Sequence, residues 1–304
     1  MPTEGFTPFD DYGSDSSIRG LVAGQKVLNR YTLKRVLGRG GMGVVWLVHD
    51  EQLERDIAFK FLPDIVYHDK AAVESLKRET RRSLELTHPN IVRIYDFAQD
   101  EHCAGISMEY VAGDTLSNLR VCQPTHVFEV SDLAVWVKQL CLAIDYAHRE
   151  ARVAHRDLKP ANLMLNNKGV LKIADFGISR SISDNMTRVS SAVHGASGTL
   201  VYMSPQQALG EAASAQDDIY SLGATLFELL TSKPPFFTGE IMTQVREKIP
   251  PTMAERRKQL GIMGKPIPPE WEETIAACLA KDPAKRPQGA MEVLQRLGLA
   301  DTAG

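Results

Sequence analysis

Short apolar runs separated by turn residues fill the chain from about residue 31 to residue 110. Runs of about four to eight residues with this spacing are typical of β-strands. One stretch differs: at residues 70–86 apolar positions recur among many charges at helical spacing, which predicts an amphipathic helix. The first part is thus predicted to be a sheet with a single helix, and its strands are predicted at residues 31–37, 44–48, 56–62, 91–97 and 104–110.

Beyond residue 130 the apolar positions change to helical spacing. Ser131 is the predicted N-cap of a helix whose apolar positions recur as far as Ala147. Residues 218–230 are apolar on almost every side, which is typical of a helix buried in a core. Since helices are also predicted at residues 271–280 and 291–297, the second part of the chain should be mainly helical.

The composition is that of a globular protein. With 43% hydrophobic and 24% charged residues the chain is not disordered as a whole, and a formal net charge of −3 gives no electrostatic reason to expect nucleic-acid binding. Its four cysteines are scattered without a Cys-x-x-Cys pair, so neither a zinc site nor a disulfide framework is indicated. A reducing cytoplasm is the compartment that fits this pattern.

The ends of the chain predict no core structure. Residues 1–29 mix Gly, Ser, Asp and Pro, which predicts a flexible leader, and they lack the apolar region of a secretory signal. Charged residues such as Lys138 and Glu228 interrupt the longest apolar segments, so no membrane-spanning segment is predicted within the chain. Residues 300–304 form a polar tail, which leaves open a longer protein with an anchor beyond Gly304.

One short stretch concentrates the candidate chemistry. Asp157 and Asn162 lie five residues apart, and Asp175 follows two apolar runs that flank an Asn/Gly turn at residues 166–169, the pattern of a β-hairpin. In such a hairpin Asn162 and Asp175 return to the same edge, where their oxygens suit Mg²⁺ bound together with phosphates. Asp157 is then left to accept a proton. Each residue alone is more often a turn former or a cap, so the hypothesis depends on their joint spacing.

A second candidate is the glycine-rich turn between the first two predicted long strands. Gly38, Gly40 and Gly43 form a Gly-x-Gly-x-x-Gly pattern that also opens dinucleotide-binding folds, but those require a helix next and this chain continues with a β-branched run. A flap whose backbone N–H groups approach phosphates is therefore favoured over an ordinary hairpin turn. Lys60 follows in the next strand among apolar neighbours, where a lysine is more usually a solvated edge residue.

The segment from His155 to Asn162 and the triplet from Asp175 to Gly177 resemble the catalytic loop and the metal-binding motif of protein kinases. The chain resembles a eukaryotic-like serine/threonine protein kinase, of the type also widespread in bacteria, over about residues 31–299. The resemblance implies an α+β, bilobal protein-kinase fold. It places an N-lobe with an antiparallel β-sheet and one helix at about residues 30–108, a hinge at about 109–113 and a mainly α-helical C-lobe at about 114–299.

The resemblance implies ATP and Mg²⁺ as the cofactors of phosphoryl transfer. Asp157 is the implied acceptor of the proton from a protein hydroxyl, Asn162 and Asp175 are the implied Mg²⁺ ligands, and Lys60 is assigned to the α- and β-phosphates. Met108 is implied to control access behind the adenine pocket. The full set of implied ATP-binding positions is Leu37, Gly38, Arg39, Gly40, Gly41, Met42, Gly43, Val44, Val45, Ala58, Lys60, Met108, Glu109, Val111 and Met164.

The implied partner of Lys60 is Glu79, in the single N-lobe helix. This assignment depends on register rather than on chemistry, because the same helix also offers Glu74 and Glu85. On propensity alone each of these glutamates is more often a solvated charge.

Residues 175–206 resemble an activation segment, because they are polar and lack strong periodicity. Lys159 and Thr199 resemble residues that mark serine/threonine rather than tyrosine kinases, and they favour protein substrates. Arg156, directly before Asp157, implies control by phosphorylation, since a phosphate could pair with it. We expect autophosphorylation, for which a homodimer is an option, at one or more of Thr187, Ser190, Ser191 and Ser197.

Three further positions are implied to support the fold of the site. Asp218 resembles the family's buried aspartate that holds the catalytic loop, with a simple helix cap as the alternative. Gln206 stands where the family has a glutamate that pairs with an arginine, here Arg286. We therefore expect Gln206→Glu to raise thermal stability.

A basic segment at residues 255–258 predicts a surface helix and is a candidate docking surface.

Two other functions compete with a protein kinase. A pseudokinase, acting as a nucleotide-binding scaffold, would have the same fold, but only Gln206 favours it, because Lys60, Glu79, Asp157, Asn162 and Asp175 are all present. A kinase acting on a small molecule is disfavoured by the long activation segment together with Lys159 and Thr199.

Overall fold

The computed structural model describes residues 20–40, 43–176 and 200–300. Within these ranges an antiparallel sheet with one long helix is followed by a mainly helical part. This arrangement confirms the predicted α+β, bilobal fold. Among the described residues, no helix is both long enough and apolar enough to cross a membrane.

The N-lobe is built on a six-stranded sheet in the order β1-β2-β3-β4-β6-β5. Its helix α2 (Lys70–Leu84) begins after Asp69, whose carboxylate accepts hydrogen bonds from the Ala71 and Ala72 amides, and it follows the short helix α1 (Asp64–Tyr67). The buried face of α2 carries Ala72, Val73 and Leu76, as the periodicity predicts. The strands are β1 (Lys26–Val27), β2 (Tyr31–Gly40), β3 (Gly43–Asp50), β4 (Arg55–Phe61), β5 (Ile94–Gln99) and β6 (Ala104–Met108).

The last part of the predicted leader belongs to this sheet. β1 pairs with β2 through Lys26 and Val27, and Val27 is buried beside Tyr31 and Leu33. The N-lobe sheet therefore begins before residue 30. The sequence did not indicate this, because a two-residue strand is too short to leave a periodic signal. Residues 1–19 of the leader, like the tail 301–304, lie outside the described residues.

A small sheet in the order β7-β8-β9 lies where the catalytic hairpin was predicted. β8 (Leu163–Asn166) and β9 (Leu171–Ile173) pair antiparallel around the Asn/Gly turn, which confirms the hairpin. Where the implied hinge ends, the chain forms strand β7 (Gly113–Thr115), paired with β8. A Cβ at Gly113 would meet the Leu165 carbonyl oxygen at 2.0 Å, so this close pairing requires glycine.

The C-lobe core surrounds α6 (Ala215–Thr231), in which every residue from Asp217 to Thr231 is buried. Two predicted helix starts were wrong by a few residues. Asp218 lies inside α6, since Ser214 is the N-cap, and α4 begins at Val130 after Glu129 rather than after Ser131. The other C-lobe helices are α3 (Leu116–Val121), α4 (Val130–Arg149), α5 (Pro205–Ala208), α7 (Ile241–Glu247), α8 (Met253–Gln259), α9 (Pro269–Cys278) and α10 (Ala290–Arg296).

The basic segment at residues 255–258 is not an exposed cationic surface. Arg256 and Arg257 of α8 are buried, with 6% and 7% of their surface exposed. Arg256 donates to the Pro234 and Pro235 carbonyls, and Arg257 donates to the Leu230 carbonyl at 2.7 Å. The docking hypothesis for this segment is therefore wrong, since its two arginines fasten the helix to the C-lobe core.

Candidate active site

The backbone of the catalytic loop is fastened to α6 by a buried carboxylate. Asp218, which has no exposed surface, accepts hydrogen bonds from the His155 amide at 2.7 Å and from the Arg156 amide at 2.8 Å. Its Oδ2 also lies 2.7 Å from Nε2 of His148, at the end of α4. Burial alone would raise the pKa of Asp218, but these hydrogen bonds and the nearby imidazoles outweigh it and lower the pKa below its ordinary value. The Asp218 carboxylate is therefore ionised at neutral pH and joins α4, α6 and the loop.

The loop that follows brings three of the predicted site residues into contact. Lys159 Nζ lies 3.0 and 2.9 Å from the two carboxylate oxygens of Asp157. Asn162 Nδ2 donates to the Asp157 carbonyl at 2.7 Å and to its Oδ2 at 3.1 Å. These donations fix the Asn162 amide, whose oxygen has no hydrogen-bond donor among the described residues. That oxygen is thus available to a cation.

The catalytic loop and the Asp175 segment are joined through His155. Nδ1 of His155 accepts from the Asp157 amide at 3.2 Å, so the ring proton is on Nε2, which donates to the Ala174 carbonyl at 2.8 Å. The Ala174 amide in turn donates to the Asn162 carbonyl at 2.9 Å. Asn162 and Asp175 therefore lie at one edge of the β8–β9 hairpin, as its pattern predicts.

Asp175 reaches across to the N-lobe. Its Oδ2 lies 2.9 Å from Nζ of Lys60, whose side chain is 5% exposed. Asp175 has a positive φ of 63°, a left-handed conformation that few residues other than glycine adopt. The next residue, Phe176, is buried with its ring centroid 4.6 Å from that of His155, and its carbonyl accepts from Ser83 Oγ of α2. The site is therefore in contact with α2 as well as with α6.

Glu79, the implied partner of Lys60, lies on the buried face of α2. Its carboxylate is 3.7 Å from Nη1 of Arg82, one turn further along the helix. Among the described residues, no ion pair within 4.0 Å joins Glu79 to Lys60, and the contact of Lys60 with a carboxylate there is to Asp175. The Lys60–Glu79 pairing thus stays a prediction.

The glycine flap is the turn between β2 and β3, with Gly40 opposite Gly43. Gly43 has a φ of +115°, and a Cβ there would meet the Phe61 carbonyl oxygen at 2.1 Å, so only glycine fits. A Cβ at Gly38 or Gly40 would meet no atom of the described residues within 4 Å. These two glycines therefore face open space where phosphates could approach the backbone. Arg39 is exposed, and Gly41 and Met42 lie outside the described residues.

We call the apolar positions that the resemblance implies for ATP binding the slot. Its members come from both lobes and pack in one cluster, in which Ala58 of β4 is directly paired with Met108 of β6. Val44, by contrast, packs into a separate apolar cluster, on the other face of β3 from Val45. The apolar ATP-binding positions found in the slot cluster are Leu37, Val45, Ala58, Met108, Val111 and Met164, joined by Ala174.

The predicted hinge adjoins this slot, since its residue Val111 belongs to the same cluster. Glu109 holds it in place, since its carboxylate lies 2.6 Å from Nζ of Lys172 in β9 and its amide donates to the Arg93 carbonyl. Neither the Glu109 carbonyl nor the Val111 amide has a hydrogen-bond partner among the described residues. The hinge thus presents one acceptor and one donor beside the slot, which is the complement that an adenine edge requires.

The predicted activation segment is described only at its two ends. Thr187, Ser190, Ser191, Ser197 and Thr199 lie outside the described residues. Where the chain resumes, the hydroxyl of Tyr202 donates to the buried carboxylate of Glu228 in α6, to which Arg120 Nη2 also donates at 3.1 Å. Burial raises the pKa of Glu228 in spite of these two donors. α6 therefore holds the end of the activation segment as well as the catalytic loop.

Arg156 lies between these two attachments. Its amide is bound by Asp218, its carbonyl accepts from Gln207 Nε2 at 3.1 Å, and its φ is +69°. Its guanidinium Nε is buried and has no hydrogen-bond partner among the described residues. A buried, unsatisfied donor of this kind is costly, and an anion arriving beside it would remove the cost.

Gln206 and Arg286 are in contact. Gln206 Oε1 accepts from Arg286 Nη2 at 2.7 Å, while Gln206 Nε2 donates to the Lys281 carbonyl at 3.1 Å. Arg286 is 2% exposed and also donates to the carbonyls of Ala280, Gln216 and Lys281. Burial lowers the pKa of the Arg286 guanidinium, although the charge of Asp217 opposes this shift. A neutral amide thus occupies the place of the family's carboxylate beside a buried cation.

Several contacts of the site were missed in the sequence. His148, Ser83, Glu228 and Lys172 all hold site residues, yet none belongs to a local pattern that points there. Glu228 alone left a signal, because a carboxylate in an otherwise apolar helix requires a buried partner.

A family model of the protein kinase domain matches residues 31–297 of the chain. Among curated relatives, a probable serine/threonine-protein kinase of Streptomyces coelicolor is 36% identical over 275 residues, which cover 87% of this chain and 39% of the relative. The serine/threonine-protein kinase PrkC of Bacillus subtilis is 34% identical, with 90% of this chain and 41% of the relative covered. PknB of Mycobacterium tuberculosis is 35% identical, with 87% and 42% covered.

The chain thus spans about two fifths of the length of these relatives. Among solved structures, the kinase domain of PknI from Mycobacterium tuberculosis has a TM-score of 0.71 and 25% identity, covering 92% of this chain and all of that domain. The resemblance seen in the catalytic segments is thereby confirmed over most of the chain.

Proposed function

The chain belongs to the protein kinase domain family, and from this premise we propose that it transfers the γ-phosphoryl group of ATP to serine and threonine hydroxyls of proteins. The observation that carries the proposal is the cluster of Asp157, Lys159 and Asn162, joined through Ala174 to Asp175. The names of the relatives, all serine/threonine-protein kinases, support the same activity.

The residues of the slot and the flap fit ATP. An adenine ring would lie among Val45, Ala58 and Met164 and use the unpaired hinge groups of Glu109 and Val111. Its phosphates would lie under the flap, at the glycines whose Cβ positions face open space.

The residues at the hairpin edge fit Mg²⁺. The Asn162 amide oxygen and the Asp175 carboxylate are the proposed ligands, an oxygen pair of the kind that binds this ion together with phosphates. When bound, Mg²⁺ would neutralise phosphate charge. Lys60, now 2.9 Å from Asp175, would reach the same phosphates from the N-lobe side.

Asp157 is the proposed acceptor of the hydroxyl proton. Lys159 lies against both of its oxygens, and the Asn162 amide fixes its orientation. A positioned base of this kind typically contributes about 10²- to 10⁴-fold, and most of the acceleration comes from positioning and charge neutralisation.

Autophosphorylation of the activation segment is part of the proposal. The buried Nε of Arg156, which has no partner among the described residues, supports it, because a phosphate on Thr187, Ser190, Ser191 or Ser197 would supply the missing acceptor. A homodimer would bring one protomer's segment to its partner's site. The free state of all four cysteines supports a cytoplasmic location for this domain.

The test is the intact mass of the dephosphorylated chain after incubation with Mg-ATP. We expect phosphoryl groups on the parent chain and on Asp64→Asn, a control at an exposed aspartate, but not on Asp157→Asn. Mapping would then locate the modified serines and threonines. Nucleotide binding without any transfer, to itself or to a generic protein, would replace the kinase by a nucleotide-binding scaffold. Transfer only to a sugar or an antibiotic would indicate a small-molecule kinase.

A further inference from the structure

A cavity of about 810 Å³ lies in the C-lobe and shares no lining residue with the candidate active site. Its floor consists of buried apolar side chains, namely Phe227 of α6, Met253 of α8, Ile275 of α9 and Leu279, directly after α9. Pockets that bind small molecules typically have volumes of about 300–1,000 Å³. The cavity is therefore large enough for a ligand of that class.

The outer wall is formed by the loop between α7 and α8 and by the exposed face of α9. Ile249 is 88% exposed, which is unusual for an isoleucine, and it is followed by Pro250 and Pro251. Ala276 of α9 also lines the cavity, and its small side chain leaves the cavity open. Apolar surface on both sides remains in contact with water unless an occupant covers it.

Two polar side chains of the lining are already engaged, while Glu273 is an exposed carboxylate on α9. The carboxylate of Glu272 accepts hydrogen bonds from the Met253 and Ala254 amides at 3.0 and 2.7 Å, and so caps α8. Thr252 Oγ1 accepts from the Glu255 amide in the same cap. An occupant would find few hydrogen-bond partners inside the cavity, which favours a hydrocarbon body.

The turn after α9 gives one end of the cavity a positive charge. Lys281 and Lys285 both line this end, and Asp282, which follows Lys281 in the chain and also lines the cavity, caps the turn by accepting from the Ala284 amide. The Lys281 ammonium donates to the Val245 carbonyl at 2.6 Å and lies 4.7 Å from the Phe236 ring centroid. Burial disfavours the charged ammonium and lowers the pKa of Lys281 to about 8. An anion beside the ammonium would stabilise the charged form.

We propose that this cavity binds a fatty acid, with its hydrocarbon chain on the floor between α6 and α9 and its carboxylate at the turn that carries Lys281 and Lys285. The hydrocarbon accounts for the apolar floor and wall, and the carboxylate for the charge at one end. The site is separate from the nucleotide slot, so binding requires neither ATP nor phosphoryl transfer.

The test is equilibrium dialysis of radiolabelled dodecanoate against the full chain without nucleotide. We expect saturable binding to one site, weaker binding of dodecanol, which has the same body without the charge, and none of butyrate, which has the charge without the body. Lys285→Gln should weaken dodecanoate binding about three- to fivefold, the effect of one partly exposed ion pair, and leave dodecanol unchanged.

Ala276→Trp should abolish binding of both dodecanoate and dodecanol by filling the cavity. Ala71→Trp, the same change at an exposed alanine of α2, is the matched control and should bind normally. Circular dichroism would show that both variants are folded. Binding that survives Ala276→Trp, or butyrate binding as tightly as dodecanoate, would overturn the proposal, as would no saturable binding.

Methyl NMR of the chain labelled at its ten methionines locates the ligand independently. Dodecanoate should shift the signal of Met253, assigned through Met253→Leu, and not those of Met108 and Met164 in the slot. Shifts at Met108 and Met164 alone would show an apolar molecule in the nucleotide slot and contradict the C-lobe site.

Discussion

Asp218 is the residue on which the geometry of the catalytic loop most depends. It accepts two backbone hydrogen bonds and contacts His148 without any exposure to water. Its role was implied by resemblance, but the contribution of His148 could not be inferred, because the two residues are 70 positions apart.

Asp218→Asn should lower both stability and phosphoryl transfer. An amide keeps one acceptor oxygen but places N–H groups where a backbone N–H already donates, and breaking a buried charged contact typically costs about 3–5 kcal/mol. The measurement is urea unfolding at pH 7, with Asp64→Asn as control. A loss no larger than that of the control would contradict the assignment.

The same contact predicts a pH dependence. Because the folded-state pKa of Asp218 is lowered, its carboxylate contributes stability above the ordinary aspartate pKa of about 3.9, and this contribution is lost as the pH falls through the folded value. The difference in unfolding free energy between the parent and Asp218→Asn should therefore shrink below about pH 4. A difference independent of pH between 7 and 3 would be inconsistent with this.

Gln206→Glu should raise the melting temperature. A carboxylate bonds a buried guanidinium more strongly than an amide does, by about 1 kcal/mol, and this should exceed the loss of the weaker donation to the Lys281 carbonyl. For a chain of this size the rise should be about 2 °C. Gln207→Glu is the control, because its side chain faces the Arg156 carbonyl. An unchanged or lowered value for Gln206→Glu would remove the proposed pairing.

At the scale of elements, α8 shows where sequence patterns mislead. Four charged residues in a row predict a solvated face, but Arg256 and Arg257 point inward, because carbonyls of other C-lobe segments accept their hydrogen bonds. The carbonyls of Pro234, Pro235 and Leu230 lie 21 to 27 residues away in sequence, so local patterning could not reveal them. The β8–β9 hairpin was predictable for the opposite reason: its two strands and its turn are adjacent in the chain.

Arg257→Lys should destabilise the C-lobe. The guanidinium donates to the carbonyls of Leu230, Lys265 and Phe128, and an ammonium cannot match this fork. We expect a loss of about 2–3 kcal/mol in the free energy of unfolding, measured by urea titration. Lys258→Gln, at the exposed neighbour, should change it by less than about 0.5 kcal/mol. Equal effects would mean that the Arg257 contacts contribute nothing.

Helix α2 offers a test of the proposed Lys60–Glu79 pairing. Arg82 is 68% exposed and competes for Glu79 across one helical turn, a contact typically worth about 0.2–0.5 kcal/mol. Arg82→Ala should therefore raise kcat/KM for ATP by up to about twofold, whereas Arg81→Ala should not. A decrease for Arg82→Ala would mean that Arg82 supports the site instead.

For the whole molecule, the proposed nucleotide site lies between two lobes, so a ligand should stabilise both together. A ligand at about 100 times its Kd adds about 2.7 kcal/mol to stability. Mg-ATP should raise the melting temperature, chelation of Mg²⁺ should reduce the rise, and Asp175→Asn should remove the Mg²⁺-dependent part. An equal rise with and without Mg²⁺ would contradict the metal assignment of Asn162 and Asp175.

The order of the two lobes was predictable because the change from strand to helical periodicity is abrupt in the sequence. The attachment of the activation segment to α6 through Tyr202 and Glu228 was not, since it joins residues 26 positions apart by side-chain contacts alone. The neutral amide at Gln206 can be read directly from the sequence. The four oxygens that accept hydrogen bonds from Arg286 cannot, since the fold brings them together.

Burial of α6 on all sides from Asp217 to Thr231 has a consequence for how the protein opens. The amide hydrogens of this buried stretch cannot exchange with solvent through fraying at an exposed surface, so they should exchange only when the surrounding C-lobe unfolds. The slowest amides of α6 would then report the free energy of global unfolding. Local opening at the flap or the hinge would leave those amides protected. The hydrogen bonds from the catalytic loop to Asp218 of α6 would then stay intact while the nucleotide slot opens and closes.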